Sequence, residues 1–351
     1  RHSKDKGITR QLMLQKIAES PSLQLFQDAL RQGKSILVEE LWDSAKALLA
    51  ALIVRSTGQS ILLITGGMRE DQLIDNLAQL APDLVVEFPA WETLPGEEIP
   101  PSPDIIGKRM EALHTLLHKK GPSIVLCPIA SLLQKVPAKE QIKPLLTTWK
   151  QGVSIAFDSI PELLTSLGYK RAAVVSDKGE FAIRGGIVDL FPVSSSDPYR
   201  IDFFGDEIDQ IRTFDPIGQK SIQKESALFL SPASELHLLQ TAQRLVSIAD
   251  YLPPSFLLMW DDLLAIEDAY VALKNMPGAK SLFFFPLEDL LKRFCDIQHL
   301  FCTAHKLEEL MAERGLTADH GSMGSATPDP RVILASDEGD SAASEAQNAA
   351  L

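Results

Sequence analysis

Along the first third of the chain, short apolar runs alternate with longer mixed stretches. Ile36-Leu37-Val38, Ile61-Leu62-Leu63-Ile64, Leu84-Val85-Val86 and Ile124-Val125-Leu126-Cys127 are too short for helices and show no alternation of wet and dry positions. Between them lie helix-length segments, Trp42 to Arg55, Asp71 to Leu80 and Asp104 to about Lys119. Uniformly apolar runs separated by helices predict a parallel sheet covered on both faces. The stretch ahead of Ile36 reads as helical, with Leu12, Leu14, Ile17, Leu23, Leu25 and Leu30 as candidate buried positions.

The pattern changes near Pro137. From Val153 to about Leu230 the segments read as strands joined by tight turns. A strand-like stretch from Phe181 to Phe191 runs into the turn cluster Ser194-Ser195-Ser196-Asp197-Pro198. Tyr199, Ile201 and Phe203 then alternate with Arg200, Asp202 and Phe204 up to the Gly205-Asp206 turn. These features predict an antiparallel α+β module. After Pro232 helical patterns return, with strand-like Phe256 to Trp260 and Leu282 to Phe285. From Ser336 to Leu351 there are acids but no bases, which reads as a solvated, disordered tail. No fixed-period repeat is present.

The length of 351 residues fits two or three domains. Hydrophobic residues at 45% and charged residues at 23% exclude a disordered or collagen-like chain. The longest unbroken apolar stretch, Ala47 to Val54, falls far short of the roughly 20 residues a bilayer-spanning helix needs. A formal charge of −13 lacks the footprint of a protein that grips DNA along its length. Three cysteines, Cys127, Cys295 and Cys302, argue against a disulfide framework and for a reducing, cytoplasmic setting. The basic residues Arg1, Lys4 and Lys6 precede no apolar signal region, and no initiator Met is present, so a fragment or processed chain is expected.

A parallel α/β sheet raises the question of a phosphate-binding loop after the first strand. Such a loop needs glycines so that backbone N–H groups wrap the phosphates, plus a Lys and a hydroxyl. Here Val38 runs into Glu39-Glu40-Leu41-Trp42-Asp43-Ser44-Ala45-Lys46-Ala47. Lys46 stands in register, but Glu40 and Ala45 take glycine positions and Ala47 replaces the hydroxyl residue. The acids there repel a triphosphate. Nucleotide hydrolysis and a nucleotide cofactor are therefore not expected. Gly66-Gly67 follows another strand but lacks the Lys-Ser/Thr pair.

Metal binding fares no better. Cys295, His299, Cys302 and His305 share one face of a helix, yet the outer two would stand about 15 Å apart at the helical rise. A tetrahedral zinc holds its ligands within about 2.3 Å. His114 and His118 form an i,i+4 pair without a third ligand. Asp261-Asp262, after a strand, reads as the acidic start of a helix. No Ser/His/Asp or Cys/His nucleophile arrangement stands out, so no residue is assigned a catalytic role. Positive charge does gather in the antiparallel module at Lys170, Arg171, Lys178, Arg184 and Arg200. Arginine suits interfaces because its planar fork makes bidentate contacts and is weakly hydrated. Arg184 precedes Gly185-Gly186, where small residues would let a partner backbone approach.

Two long stretches are specific enough to compare with a family. Gly179-Glu180-Phe181-Ala182-Ile183-Arg184-Gly185-Gly186-Ile187-Val188-Asp189-Leu190-Phe191-Pro192 and Tyr199 to Asp209, followed by Ile211 to Asp215, resemble the N-terminal region of the bacterial transcription-repair coupling factors (Mfd). Trp91-Glu92-Thr93-Leu94-Pro95 and Asp104-Ile105-Ile106 resemble the same family. The likeness spans roughly residues 10 to 300. That region is similar to UvrB, which implies an α/β fold: a RecA-like parallel sheet with helices on both faces, interrupted by an inserted antiparallel α+β domain like domain 2 of UvrB. It implies domain 1a over residues 1–137, domain 2 over 138–235 and domain 1b over 236–335, ahead of the tail at 336–351.

In the family, domain 2 binds UvrA, the damage-recognition ATPase. The matching arginines here are Arg171, in Tyr169-Lys170-Arg171, and Arg184, with Lys170 and Phe181 in support. A further UvrB arginine falls on Ala182. The resemblance implies a UvrA-recruiting head in transcription-coupled nucleotide excision repair. RNA polymerase and DNA contacts and the ATP-driven translocase would lie downstream in the parent. The alternative is a UvrB-type ATP-dependent helicase. UvrB has an intact phosphate loop, an Asp-Glu-Ser-His motif and a DNA-clamping hairpin. Here the loop is degenerate, the later motif is Asp261-Asp262-Leu263-Leu264, and only Pro89 to Pro103 stands where the hairpin would be.

Overall fold

The computed structural model describes residues 21–306 and 309, apart from 68–69, 95–98, 277 and 279–280. The readings on Leu12, Leu14, Ile17 and the tail at 336–351 lie outside the described residues.

Helix α1 (Pro21–Arg31) leads to β1 (Ile36–Val38), α2 (Asp43–Thr57), β2 (Ile61–Thr65), α3 (Glu70–Leu80), β3 (Val85–Glu87), α4 (Pro103–His118), β4 (Ile124–Pro128) and α5 (Ile129–Leu133). Next come β5 (Val136–Pro137), α6 (Lys139–Ile142), β6 (Thr147–Lys150), α7 (Ile160–Ser166), β7 (Lys170–Arg171), β8 (Glu180–Arg184), β9 (Ile187–Leu190), β10 (Tyr199–Phe204), β11 (Glu207–Phe214), β12 (Ser221–Glu225) and β13 (Ala227–Leu230). The chain continues through α8 (Glu235–Thr241), β14 (Leu245–Val246), β15 (Leu257–Asp261), α9 (Leu263–Lys274), α10 (Leu287–Arg293) and β16 (His299–Cys302).

The fold is α/β. Its main sheet runs β1-β16-β15-β2-β4-β3, and every pairing in it is parallel. Both faces are dry, which is why the strands are uniformly apolar. Leu62, Ile64, Val125, Leu258 and Trp260 point into one core. Their neighbours Ile61, Leu63, Ile124, Leu257 and Met259 point into the other. Residues of α4, α5, α9 and α10 close the first core. Residues of α2 and α3 close the second. Helix α4 starts cleanly because Ser102 caps it, accepting the Ile105 amide at 3.4 Å, with Pro103 where a missing N–H is harmless.

A separate sheet, ordered β12-β11-β10-β9-β8-β7, interrupts this body. Its pairings are antiparallel except β7 with β8. It has its own core, around Phe181, Val188, Leu190, Ile201 and Ile211, with Ile160 and Leu164 of α7 packed on it. The stretch read as one strand from Phe181 to Phe191 is a hairpin, β8 and β9, turning at Gly185 with φ 58°. Gly186 is small for an internal reason: a Cβ there would stand 3.0 Å from the Phe203 carbonyl oxygen. The close backbone is the chain's own β10, not a partner's. Leu282 to Phe285 is a turn carrying one isolated bridge, Phe284 to Gln134, rather than a strand. The main-sheet strand the sequence pattern missed is β16, which lies between β1 and β15.

Candidate functional site

In open parallel sheets, ligands bind beyond the carboxyl ends of the strands. Val38, Cys302 and Asp261 stand side by side at that edge, across β1, β16 and β15. Lys46, one turn into α2, is 3% exposed and ion-pairs with Asp261 across the end of β16. The loop residue Glu40 holds φ 56°, the left-handed conformation glycine adopts most easily. Trp42, exposed, precedes α2 without a side-chain cap. Glu70, at the start of α3, bonds Thr65 at the end of β2. Burial raises its carboxyl above the usual range against that hydrogen bond, and the nearby Glu87, Asp71 and Asp261 push it the same way. Carboxylates surround the cleft, and its lysine is already matched. Asp262 caps α9, accepting the Ala265 amide at 3.3 Å, as the reading of an acidic helix start required.

In the inserted sheet the five clustered cations separate into two groups. Arg200 is held inside by a bidentate pair with buried Asp189, at 2.7 and 2.8 Å, and lies over the Phe214 ring at 4.6 Å. Lys178 reaches Asp104 of α4 at 2.5 Å and ties the insert to the body. Lys170, Arg171 and Arg184 are exposed. Tyr169 anchors the edge strand before them: its buried hydroxyl donates to the Ser231 carbonyl at 2.9 Å. Register opposes Lys170 to Glu180 and Arg171 to Phe181. Alternation therefore puts Lys170 on the Glu180, Ala182, Arg184 side of the sheet and Arg171 on the other side of the same edge. Arg184 donates to the Ala173 carbonyl at 2.6 Å. Burial acts to raise the Glu180 carboxyl, but it lies below its ordinary value: hydrogen bonds from Ser176 and Asp177 outweigh burial, with Lys170 adding a smaller pull. Phe181 is wholly buried in the insert's core and offers no side-chain surface. Its part is to hold β8.

The residues weighed and set aside as metal ligands scatter. His299 and Cys302 are on strand β16, where Cys302 is buried and His299 is bonded by the Trp260 indole. Cys295 is exposed outside it and His305 packs on Trp42. No group of three His, Cys, Asp or Glu among the described residues could hold a metal ion. The His114 and His118 rings meet at a tilt, 4.4 Å between centroids, and His114 also meets the Phe229 ring at 4.6 Å.

One constellation escaped the sequence reading. Arg109 of α4 is fully buried, and its fork clamps Glu235 at 2.7 and 2.8 Å. Its remaining arm donates to the Pro89 carbonyl at 2.7 Å and Gln134 at 3.0 Å. The guanidinium lies 4.1 Å from the Phe88 ring centre. Trp91 also donates to Glu235, at 2.8 Å. A charge with all its bonds satisfied can stay buried. Glu235 is the first residue of α8 and closes the insert, and Gln134 lies just ahead of it, so this network ties both ends of the insertion to the body. Among the described residues no helix is long and apolar enough to cross a membrane.

Comparison with known proteins follows the same division. Residues 148–236 match the UvrB interaction domain. The transcription-repair-coupling factor of Escherichia coli strain K12 is 34% identical over 208 residues, which is 59% of this chain and 18% of that protein. That of Bacillus subtilis strain 168 is 32% identical over 223 residues, 63% of this chain and 19% of that one. The Haemophilus influenzae protein is 39% identical over 160 residues, 45% of this chain and 14% of that one. The chain thus spans less than a fifth of the length of these relatives. With its interrupted parallel sheet, the chain is similar to part of the transcription-repair-coupling factors, and its residues 148–236 match the UvrB interaction domain.

Proposed function

We propose that this chain is the UvrA-recruiting head of a transcription-repair coupling factor, acting in the cytoplasm in transcription-coupled excision repair. The insert, taken as residues 138–235, docks UvrA through Arg171, Arg184 and Lys170, with Phe181 holding the strand beneath them. Domains 1a and 1b, taken as residues 1–137 and 236–335, carry the insert. RNA polymerase binding, DNA binding and ATP-driven translocation belong to downstream parts of the parent.

The observation that carries this reading is the match of residues 148–236 to the UvrB interaction domain, with three exposed cations on one edge of its sheet. The paired Lys46 and Asp261 support the view that the phosphate cleft is degenerate: a triphosphate would have to break a buried ion pair amid carboxylates. This favours a docking head over a UvrB-type helicase.

Truncating an interfacial arginine typically costs about 2 kcal/mol or more. Arg171→Ala with Arg184→Ala is expected to weaken UvrA binding at least about tenfold in a calorimetric titration. The melting curve should be unaltered, because both side chains are exposed. Affinity equal to the parent's would remove these residues from the interface. Magnesium-dependent ATP binding by the chain alone would favour the helicase.

A further inference from the structure

Phe204, the last residue of β10, is 84% exposed, and Ile187, the first of β9, is 37% exposed. Register sets Ile187 opposite both Arg184 and Asp202, so these three share one face of the insert. Phe204 lies two residues beyond Asp202 and returns to that face by alternation. The intervening Phe203 goes the other way, toward the core that holds Val188 and Ile201. The Phe203 amide donates to the Gly186 carbonyl at 2.8 Å, which brings the Gly185-Gly186 turn alongside the end of β10. Arg184, Ile187 and Phe204 therefore form one exposed strip at the tip of the sheet. Two of the nearby acids are engaged internally. Asp202 accepts Arg212 at 2.6 Å, and the Asp206 carboxylate accepts the Phe157 amide at 2.9 Å. Glu207 stands opposite Phe204 on the adjoining strand.

An exposed aromatic beside an arginine is the pairing that dominates binding energy at protein interfaces. We propose that Phe204, flanked by Ile187, is the apolar anchor of the UvrA-binding face, entering an apolar pocket on UvrA rimmed by carboxylates that meet Arg184 and Lys170. This rests on the UvrA-recruiting reading and adds the residue that sets dissociation. Charge selects the occupant. In a chain of net charge −13, this strip carries the exposed cation Arg184, with exposed Lys170 farther along the same face.

The test is binding of the whole chain to purified UvrA, followed in real time at several salt concentrations. Phe204→Ala should raise the dissociation rate at least about tenfold and leave the salt dependence of association unchanged. Arg184→Ala should flatten that salt dependence. Ile217→Ala, which removes a side chain 93% exposed in the loop after β11, is the control and should bind like the parent. If Arg184→Ala weakens binding while Phe204→Ala does not, the anchor is refuted and the recruiting reading stands. If the parent chain does not bind UvrA, both fail. If light scattering shows a parent dimer that Phe204→Ala dissolves, the occupant is a second copy and the proposal is wrong.

Discussion

Arg109 and Glu235 show what a single residue can hide. The guanidinium has no water to fall back on, so its partner's removal leaves a buried charge uncompensated, a loss of about 3–5 kcal/mol. Glu235→Ala is expected to cost that much in urea unfolding. Arg109→Met combined with Glu235→Leu should recover only part of it: the buried charge is gone, but the Trp91 indole, Gln134 and the Pro89 carbonyl lose their partners. A double variant as unstable as Glu235→Ala would contradict this account. The hint was present in the sequence. Ile106, Met110 and Leu113 mark the buried stripe of α4, and Arg109 stands on it. An arginine on an apolar stripe needs a carboxylate, but nothing in sequence names one 126 positions away. Phe181 illustrates the opposite limit. The sequence reading set it beside the arginines in support of the docking face, yet alternation along β8 sends its side chain inward.

At the scale of elements, five of the six main-sheet strands and three flanking helices were legible because the runs are short and uniformly apolar. β16 was not. His299 opens it and Cys295 and His305 bracket it, so its pattern mimicked a helical ligand face until its pairing with β1 and β15 was known. Leu282 to Phe285 erred the other way: an apolar run can line a turn as well as a strand. The join between elements was equally invisible. Gly107, buried in α4, admits the loop between β9 and β10 so closely that an added Cβ would stand 2.3 Å from the Val193 carbonyl oxygen. Backbone cannot yield as a flexible side chain does. Gly107→Ala is therefore expected to lower stability by about 1–3 kcal/mol, the usual range for overpacking, despite alanine's better helix propensity. Calorimetry giving an unchanged or higher melting temperature would mean that the Val193-Ser194 loop moves without strain.

At the scale of the whole molecule, the order of strands in the main sheet decides what can fold alone. β15 and β16 come from the far side of the insertion, yet they occupy the space between β1 and β2. Without them β1 has no partner, and Ile61 to Ile64 of β2 lose the neighbours Leu257 to Trp260. The insert is different: its core is drawn from residues between Trp149 and Leu230, with no residue from β15 or β16. A chain ending at residue 236 should thus keep a folded insert and lose the body. Limited proteolysis is expected to digest residues 21–130 while sparing a fragment near 148–236. Near-ultraviolet circular dichroism should lose the contribution of Trp91, whose packing partner Phe284 is gone. If the shortened chain instead resisted protease throughout and melted in one transition like the parent, β2, β3 and β4 would form a stable sheet on their own. The insert would then be no more autonomous than the sheet that carries it.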